Sequence, residues 1–242
     1  MPKVRLMTYN VRRCVGLDGR LSPERIAQVI GRFDPDVACL QELDVGRRRT
    51  GRVDQPCQIA GALRMDSHFH GAMRVEEEQF GTAILSRLPM RKVRSGPLPT
   101  LLGMRLEPRA ALWVELRAGT KLVHVINVHL GLTRGEREVQ TDMLLGDQWL
   151  GHPECHAPRI LCGDLNMTPR APAYQRIGRL LRAAESPEGE RRFRTWPSFL
   201  PLVPLDHVFG SDDLRPRGVD VPRDRGVRFA SDHLPMIVDY EL

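Results

Sequence analysis

The chain has 242 residues, 41% of them apolar and 27% charged, the balance of a globular protein able to bury a sizeable core. Its length suits one large α/β domain, expected to span residues 1–242 because nothing in it reads as a linker. No apolar run approaches the roughly 20 residues of a membrane-spanning helix, and five cysteines without a C-x-x-C pair argue against a disulfide framework or a zinc knuckle.

Val4 to Tyr9 reads as a strand and leaves no room for a signal h-region, so with Met1 as the true start a cytoplasmic location is expected. Ser22 ahead of Pro23 is an N-cap followed by proline at the first helical position, opening a helix with Ile26, Val29 and Ile30 on one stripe. Pro35 stops it before a strand over Val37 to Leu40. Asp54 to Leu63 reads as helix, and Thr82 to Ser86, Ala110 to Leu116 and Lys121 to Val128 as strands. Thr133-Arg-Gly-Glu136 fits a capping box for a helix to about Trp149. Ile160 to Cys162 is a short buried strand, Thr168-Pro169 can start a further helix, and Val208-Phe209 and Met236 to Tyr240 supply the last strands. The Pro-rich stretch from Trp196 to Pro204 is a loop. No repeat or low-complexity segment interrupts the series.

Polar clusters sit where the apolar runs end. They are Asn127-Val128-His129, Gly163-Asp164-Leu165-Asn166, Leu205-Asp206-His207 and Ser231-Asp232-His233, with Asn10 and Glu42 closing two earlier strands. Carboxylates, amides and imidazoles converging from six segments describe a hydrolytic site for a hard, oxygen-ligated cation such as Mg²⁺. Taken singly, Glu42 is an ordinary surface acid, Asn10 a turn former, and Gly163 to Asn166 a turn. Two Asp-His dipeptides carry more weight, because a carboxylate can fix an imidazole tautomer and raise its proton affinity. His68, His70, His124, His152 and His156 lack such neighbours and read as surface or structural.

Together the residues resemble the endonuclease/exonuclease/phosphatase superfamily, as a compact bacterial member. The resemblance rests on Thr8-Tyr9-Asn10, Leu40-Gln41-Glu42-Leu43-Asp44, Phe80 to Arg87, Glu107-Pro108-Arg109, Asn127-Val128-His129-Leu130, Gly163-Asp164-Leu165-Asn166, Leu205-Asp206-His207-Val208-Phe209 and Ser231-Asp232-His233-Leu234-Pro235, all in the family's order. It implies a four-layer α/β sandwich of two packed mixed β-sheets flanked by helices. It further implies that Glu42 is the principal Mg²⁺ ligand, with Mn²⁺ as substitute, assisted by Asn10 and Asp232. Asp164 and Asn166 would orient the attacking water and a phosphate oxygen, and His233, partnered by Asp206, would act as general base or contact the phosphate. Arg109, Asn127, His129 and Asn166 would bind substrate, with His129 also a candidate to protonate the leaving group.

Two departures from the family pattern stand out. Gln79 occupies the position where relatives place an acid before the aromatic-glycine pair, so the acid orienting His129 is either absent or displaced to Glu78. His207 follows Asp206 where an aromatic is frequent, and reads as a structural substitute for that ring. The net charge of +6 favours an anionic partner, a phosphorylated substrate with nucleic acid among the candidates; only three of the 36 basic residues are lysine, so the arginine excess reads as compositional skew. Arg47-Arg48-Arg49-Thr50-Gly51-Arg52 is either a grip on distal phosphates or a solvated loop. No inserted hydrophobic hairpin, stable membrane insertion or protein partner is indicated. The leading reading is a Mg²⁺-dependent phosphodiesterase or nuclease. The others are a phosphomonoesterase or lipid-headgroup hydrolase, and a catalytically silent phosphate-binding module.

Overall fold

The structure, a computed structural model, describes residues 3–101, 106–184 and 193–242; Met1, on which the reading of the N-terminus rests, lies outside them. The chain runs through β1 (Lys3–Asn10), α1 (Pro23–Phe33), β2 (Val37–Val45) and α2 (Gln55–Leu63). Five strands follow, β3 (Asp66–Val75), β4 (Glu78–Ser86), β5 (Met90–Leu98), β6 (Arg109–Ala118) and β7 (Lys121–His129), then α3 (Arg134–Leu145). The remainder is β8 (Arg159–Asp164), α4 (Pro172–Ile177), β9 (Arg182–Ala183), β10 (Asp206–Gly210), β11 (Arg215–Asp220), α5 (Arg225–Ala230) and β12 (Met236–Glu241).

Local chemistry sets most helix boundaries. The Ser22 hydroxyl accepts from the Arg25 N–H, Ile26, Ala27, Val29 and Ile30 are buried, and Asp34 ends α1 in the left-handed region at φ 47°. The Thr133/Glu136 capping box forms in both directions. That helix stops earlier than expected, because Gly146 turns extended at ψ 179° and Trp149 and Leu150 pack as turn residues instead. Helix α4 starts later than expected: Ala171 N–H closes a turn onto the Thr168 carbonyl, and Pro172 takes the first helical position.

Two six-stranded sheets result, one ordered β11-β12-β1-β2-β4-β3 and the other β5-β6-β7-β8-β10-β9. Each holds one parallel pair near its middle, β1 with β2 and β7 with β8, and is otherwise antiparallel. The first sheet shares a core with the inner face of the second and with α1, α2 and α5; a second core joins α3 and α4 to the outer face of β6, β7 and β8. This is the sandwich of two mixed sheets flanked by helices that the family resemblance implies.

Between the sheets lies a buried polar staple. Asn127, fully buried on β7, donates both amide hydrogens to the Leu40 and Ala83 carbonyls of the first sheet, at 3.0 and 2.9 Å, and its oxygen accepts from Gln41 Nε2 at 2.7 Å. Both donors of the amide are therefore occupied. The expectation that Asn127 binds substrate is corrected: it fixes one sheet to the other beneath the polar rim.

Candidate active site

The second sheet assembles its part of the site by register alone. On adjacent strands, Asp164 lies opposite His129 of β7 and opposite Asp206 of β10, so three strand ends deliver three polar side chains side by side. Gly163, at φ +143°, makes this approach feasible; a Cβ there would fall 1.9 Å from the Val128 carbonyl oxygen. Past the strand end, Asn166 adopts φ +49°, its N–H donating to Asp164 Oδ1 at 2.9 Å and its Nδ2 to the Leu130 carbonyl at 3.0 Å.

The first sheet uses an irregularity instead. Glu42 was expected to close its strand, but β2 continues to Val45 and Glu42 sits at a register shift between Leu40 and Leu43, with φ +59°. Simple alternation would send Glu42 to the face opposite Gln41, which points into the staple. The left-handed turn returns it to Asn10, whose Nδ2 donates to Glu42 Oε1 at 3.0 Å and to Asp164 Oδ2 at 2.9 Å. One amide thus joins the two halves of the site.

His233 arrives on the loop ahead of β12, held there by Ser231, whose hydroxyl donates to the Asn10 carbonyl at 2.7 Å. Its Nδ1 lies 2.7 Å from Asp206 Oδ2 and its Nε2 3.7 Å from Asp164 Oδ2. Burial alone would lower the imidazole, yet the Asp206 and Asp164 carboxylates override it and push it up to about 10. Asp164 is pushed up to about 7 by burial, with His233 opposing and Asp206 adding to the rise. Asp206 Oδ1 is buried without a partner among the described residues.

His129 has a different character. Arg109 Nη1 stands 3.2 Å from its Nδ1 and 2.7 Å from Glu107 Oε2. Since a guanidinium can only donate, Nδ1 accepts and the His129 proton sits on Nε2, 3.5 Å from Asp164 Oδ2. Burial first, then the charges of Arg109 and His233, hold its pKa well below the ordinary histidine value. A neutral donor ring fits phosphate contact better than leaving-group protonation. Of the two alternatives for its orienting acid, absence or displacement to Glu78, the second does not hold, since Glu78 pairs with Arg47 at 3.0 Å; Glu107 acts on His129 through Arg109 instead.

The donor set fits a hard divalent cation. Glu42 carries a pKa raised by burial, against the Asn10 hydrogen bond, with Asp232 adding to it, the condition of two acids that share a space and that a bound cation would relieve. Asn10 fits a direct ligand role poorly: its Nδ2 faces the two carboxylates and its Oδ1 accepts from Arg12 N–H at 3.1 Å, so it orients the acids. Asp164, Asp206 and His233 also offer ligand atoms within 4.8 Å of one another and could hold a metal. Glu42, whose pKa Asp232 helps to raise, is a second place where carboxylate oxygens could meet a cation.

Other expected residues lie apart from this cluster. His207 donates from Nε2 to the Met167 carbonyl at 2.8 Å and packs edge-on against Tyr174, filling the place of an aromatic ring. In the arginine run, Arg49 forks onto Asp44 and Arg47 is held by Glu78, leaving both engaged locally. Arg12 was missed: its Nε approaches Asp232 Oδ2 at 3.7 Å, and the cation two residues after Asn10 was its one signal.

Two packed mixed sheets with acids, amides and imidazoles along one rim define the class, a two-sheet α/β sandwich. The pattern of the Endonuclease/Exonuclease/phosphatase family matches residues 7–233, and the chain belongs to that family, whose members are phosphoester hydrolases. Over 169 residues it is 27% identical to the uncharacterised protein YbhP of Escherichia coli strain K12; the match covers 69% of this chain and 64%, under two thirds, of that relative. The fold is shared with an endonuclease/exonuclease/phosphatase from Beutenbergia cavernae DSM 12333, at TM-score 0.77 and 24% identity over 100% of this chain and 72% of the other. It is also shared with a mannosyl-6-phosphatase of Bacteroides thetaiotaomicron, at TM-score 0.77 and 19% identity over 99% of this chain and 100% of that one.

Proposed function

We propose that the protein is a Mg²⁺-dependent phosphodiesterase of the nuclease type. The observation that carries this is the continuous line of contacts from Glu42 through Asn10 to Asp164, and on to the His233–Asp206 pair. A phosphodiester resists attack because its anionic oxygens repel the nucleophile, so its hydrolysis needs charge neutralisation beside a positioned proton acceptor. A cation held by Glu42 and Asp232 would supply the first as a Lewis acid. Asp164, its carboxylate oriented by Asn10 and by the Asn166 N–H, takes the proton of the attacking water. His233, fixed through Nδ1 by Asp206, offers Nε2–H to a phosphate oxygen, and His129 and Arg109 complete the cradle.

Charge favours a diester over a monoester. Glu42, Asp164, Asp206, Asp232 and Glu107 crowd the rim, while Arg109 and Arg12 each already face an acid. A monoanion is repelled less there than a dianion. Purified protein with Mg²⁺ or Mn²⁺ is expected to cleave bis-p-nitrophenyl phosphate and plasmid DNA in preference to p-nitrophenyl phosphate. Cleavage of the monoester alone would give the phosphomonoesterase reading, and phosphate binding without turnover on any of the three would give the silent module.

A further inference from the structure

Five of the ten exposed large hydrophobic side chains among the described residues belong to one loop and the helix beside it, next to the site, and take no part in the chemistry above. Trp196, Phe199, Leu200 and Leu202, in the loop ahead of β10, and Phe229 of α5 are all exposed, Phe199 by 61%, Leu200 by 55% and Leu202 by 53%. Such a cluster marks an interaction surface, since a folded chain normally scatters its exposed hydrophobic residues. A cavity of about 310 Å³ opens between Leu17, Phe199, Phe229 and three arginines, Arg223, Arg225 and Arg228. Arg225 lies over the Phe229 ring at 5.7 Å, and Arg228 donates to the Phe199 carbonyl at 3.3 Å, so cations and apolar side chains are interleaved. The acids at the border are already engaged, Asp224 by Arg32 and Asp18 by Arg25, which leaves the face positive.

We propose that this face docks the protein on an anionic phospholipid bilayer. Aromatic and aliphatic side chains standing among arginines have the composition of an interfacial anchor, the apolar groups entering the headgroup boundary and the guanidiniums meeting lipid phosphates. Leu200 and Leu202 favour lipid over nucleic acid here, because aliphatic side chains suit a headgroup boundary and offer a base no ring to stack on. The loop is fastened to the backbone that carries Asp232 and His233: Ser198 N–H donates to the Asp232 carbonyl at 2.7 Å and Leu234 N–H to the Thr195 carbonyl at 2.9 Å. Docking would therefore act on the loop that carries part of the site.

The test is co-sedimentation of the full chain, in EDTA, with vesicles of phosphatidylcholine alone or mixed equally with phosphatidylglycerol. Sedimentation is expected with the mixed vesicles, weaker with phosphatidylcholine alone, and reduced about tenfold or more in the F199S/L200S and R223E/R225E double variants. Circular dichroism and bis-p-nitrophenyl phosphate turnover should be unchanged in both, and where one variant fails to fold, the other and the lipid dependence of the unaltered chain still decide. No sedimentation of the unaltered chain, or sedimentation indifferent to both substitutions, overturns the proposal. So does loss confined to R223E/R225E together with tight binding of a fluorescent single-stranded oligonucleotide. Because the measurement needs no turnover, its failure is distinct from failure of the hydrolytic reading.

Discussion

The two sheets contribute to the rim by different means. In the second, His129, Asp164 and Asp206 are neighbours in a regular ladder, and their spacing follows from strand separation alone. In the first, Glu42 reaches its place through a register shift and a left-handed backbone, a conformation that costs a non-glycine residue of order 1–3 kcal/mol. The second sheet thus brings His129, Asp164 and Asp206 together through a regular ladder, while the first delivers Glu42 through a strained turn and His233 through the loop ahead of β12. Asn10 and the Asn127 staple are the points at which the two are tied.

The severest way to break this comparison is at Gly163. G163A would set a methyl against the Val128 carbonyl next to the end of the β7–β8 ladder, so no folded protein is expected, as read by circular dichroism and soluble yield. Next in size is chemistry. H233A should lose roughly 10²–10⁴-fold in kcat on the diester, D206N a comparable share, and the double variant little more, because the pair acts as a unit. E42Q should instead lose activity that excess Mg²⁺ partly restores, and should melt higher than the unaltered protein in EDTA, since it removes a buried acid facing Asp232. Equal Mg²⁺ rescue of H233A would erase the distinction between Glu42 and the His233–Asp206 pair.

Smaller effects sharpen it. N127A strips partners from Gln41 Nε2 and two buried carbonyls, and should cost roughly 1–3 kcal/mol by urea unfolding. A larger fall in activity than in stability would show the staple setting the distance between the halves. The pH dependence of stability in EDTA should carry the mark of His233. Its folded value, about 10, exceeds the unfolded value near 6.5, so its stabilisation is complete below pH ~6.5 and declines as pH rises toward 10. Between pH ~6.5 and ~8.5, before unfolded cysteines ionise, the slope should approach about 1.4 kcal/mol per pH unit and flatten in D206N.

How much of this was legible follows a physical line. The interior strands β1, β2, β4, β6, β7, β8, β10 and β12 announce themselves, because burial on both faces demands apolar runs such as Val37 to Leu40. The four strands at the sheet edges, β3, β5, β9 and β11, gave no comparable signal. Arg215–Asp220, for instance, reads RPRGVD and has no buried residue, as is possible at an edge paired on one side. Helix starts were legible where a cap chemistry exists, as at Ser22 and Thr133, and misplaced where a turn intervened, as at Thr168.

Of the site, the sequence by itself determined the cast: which acids, amides and imidazoles end the buried strands, since side-chain type and strand termini are both local properties. Only the tertiary structure decided the parts they play. That Asn127 staples sheets, that Glu107 acts on His129 through Arg109, and that Glu42 turns back at a bulge depend on which groups from distant segments compete for each hydrogen bond. That competition is settled by packing, and no run of residues encodes it locally.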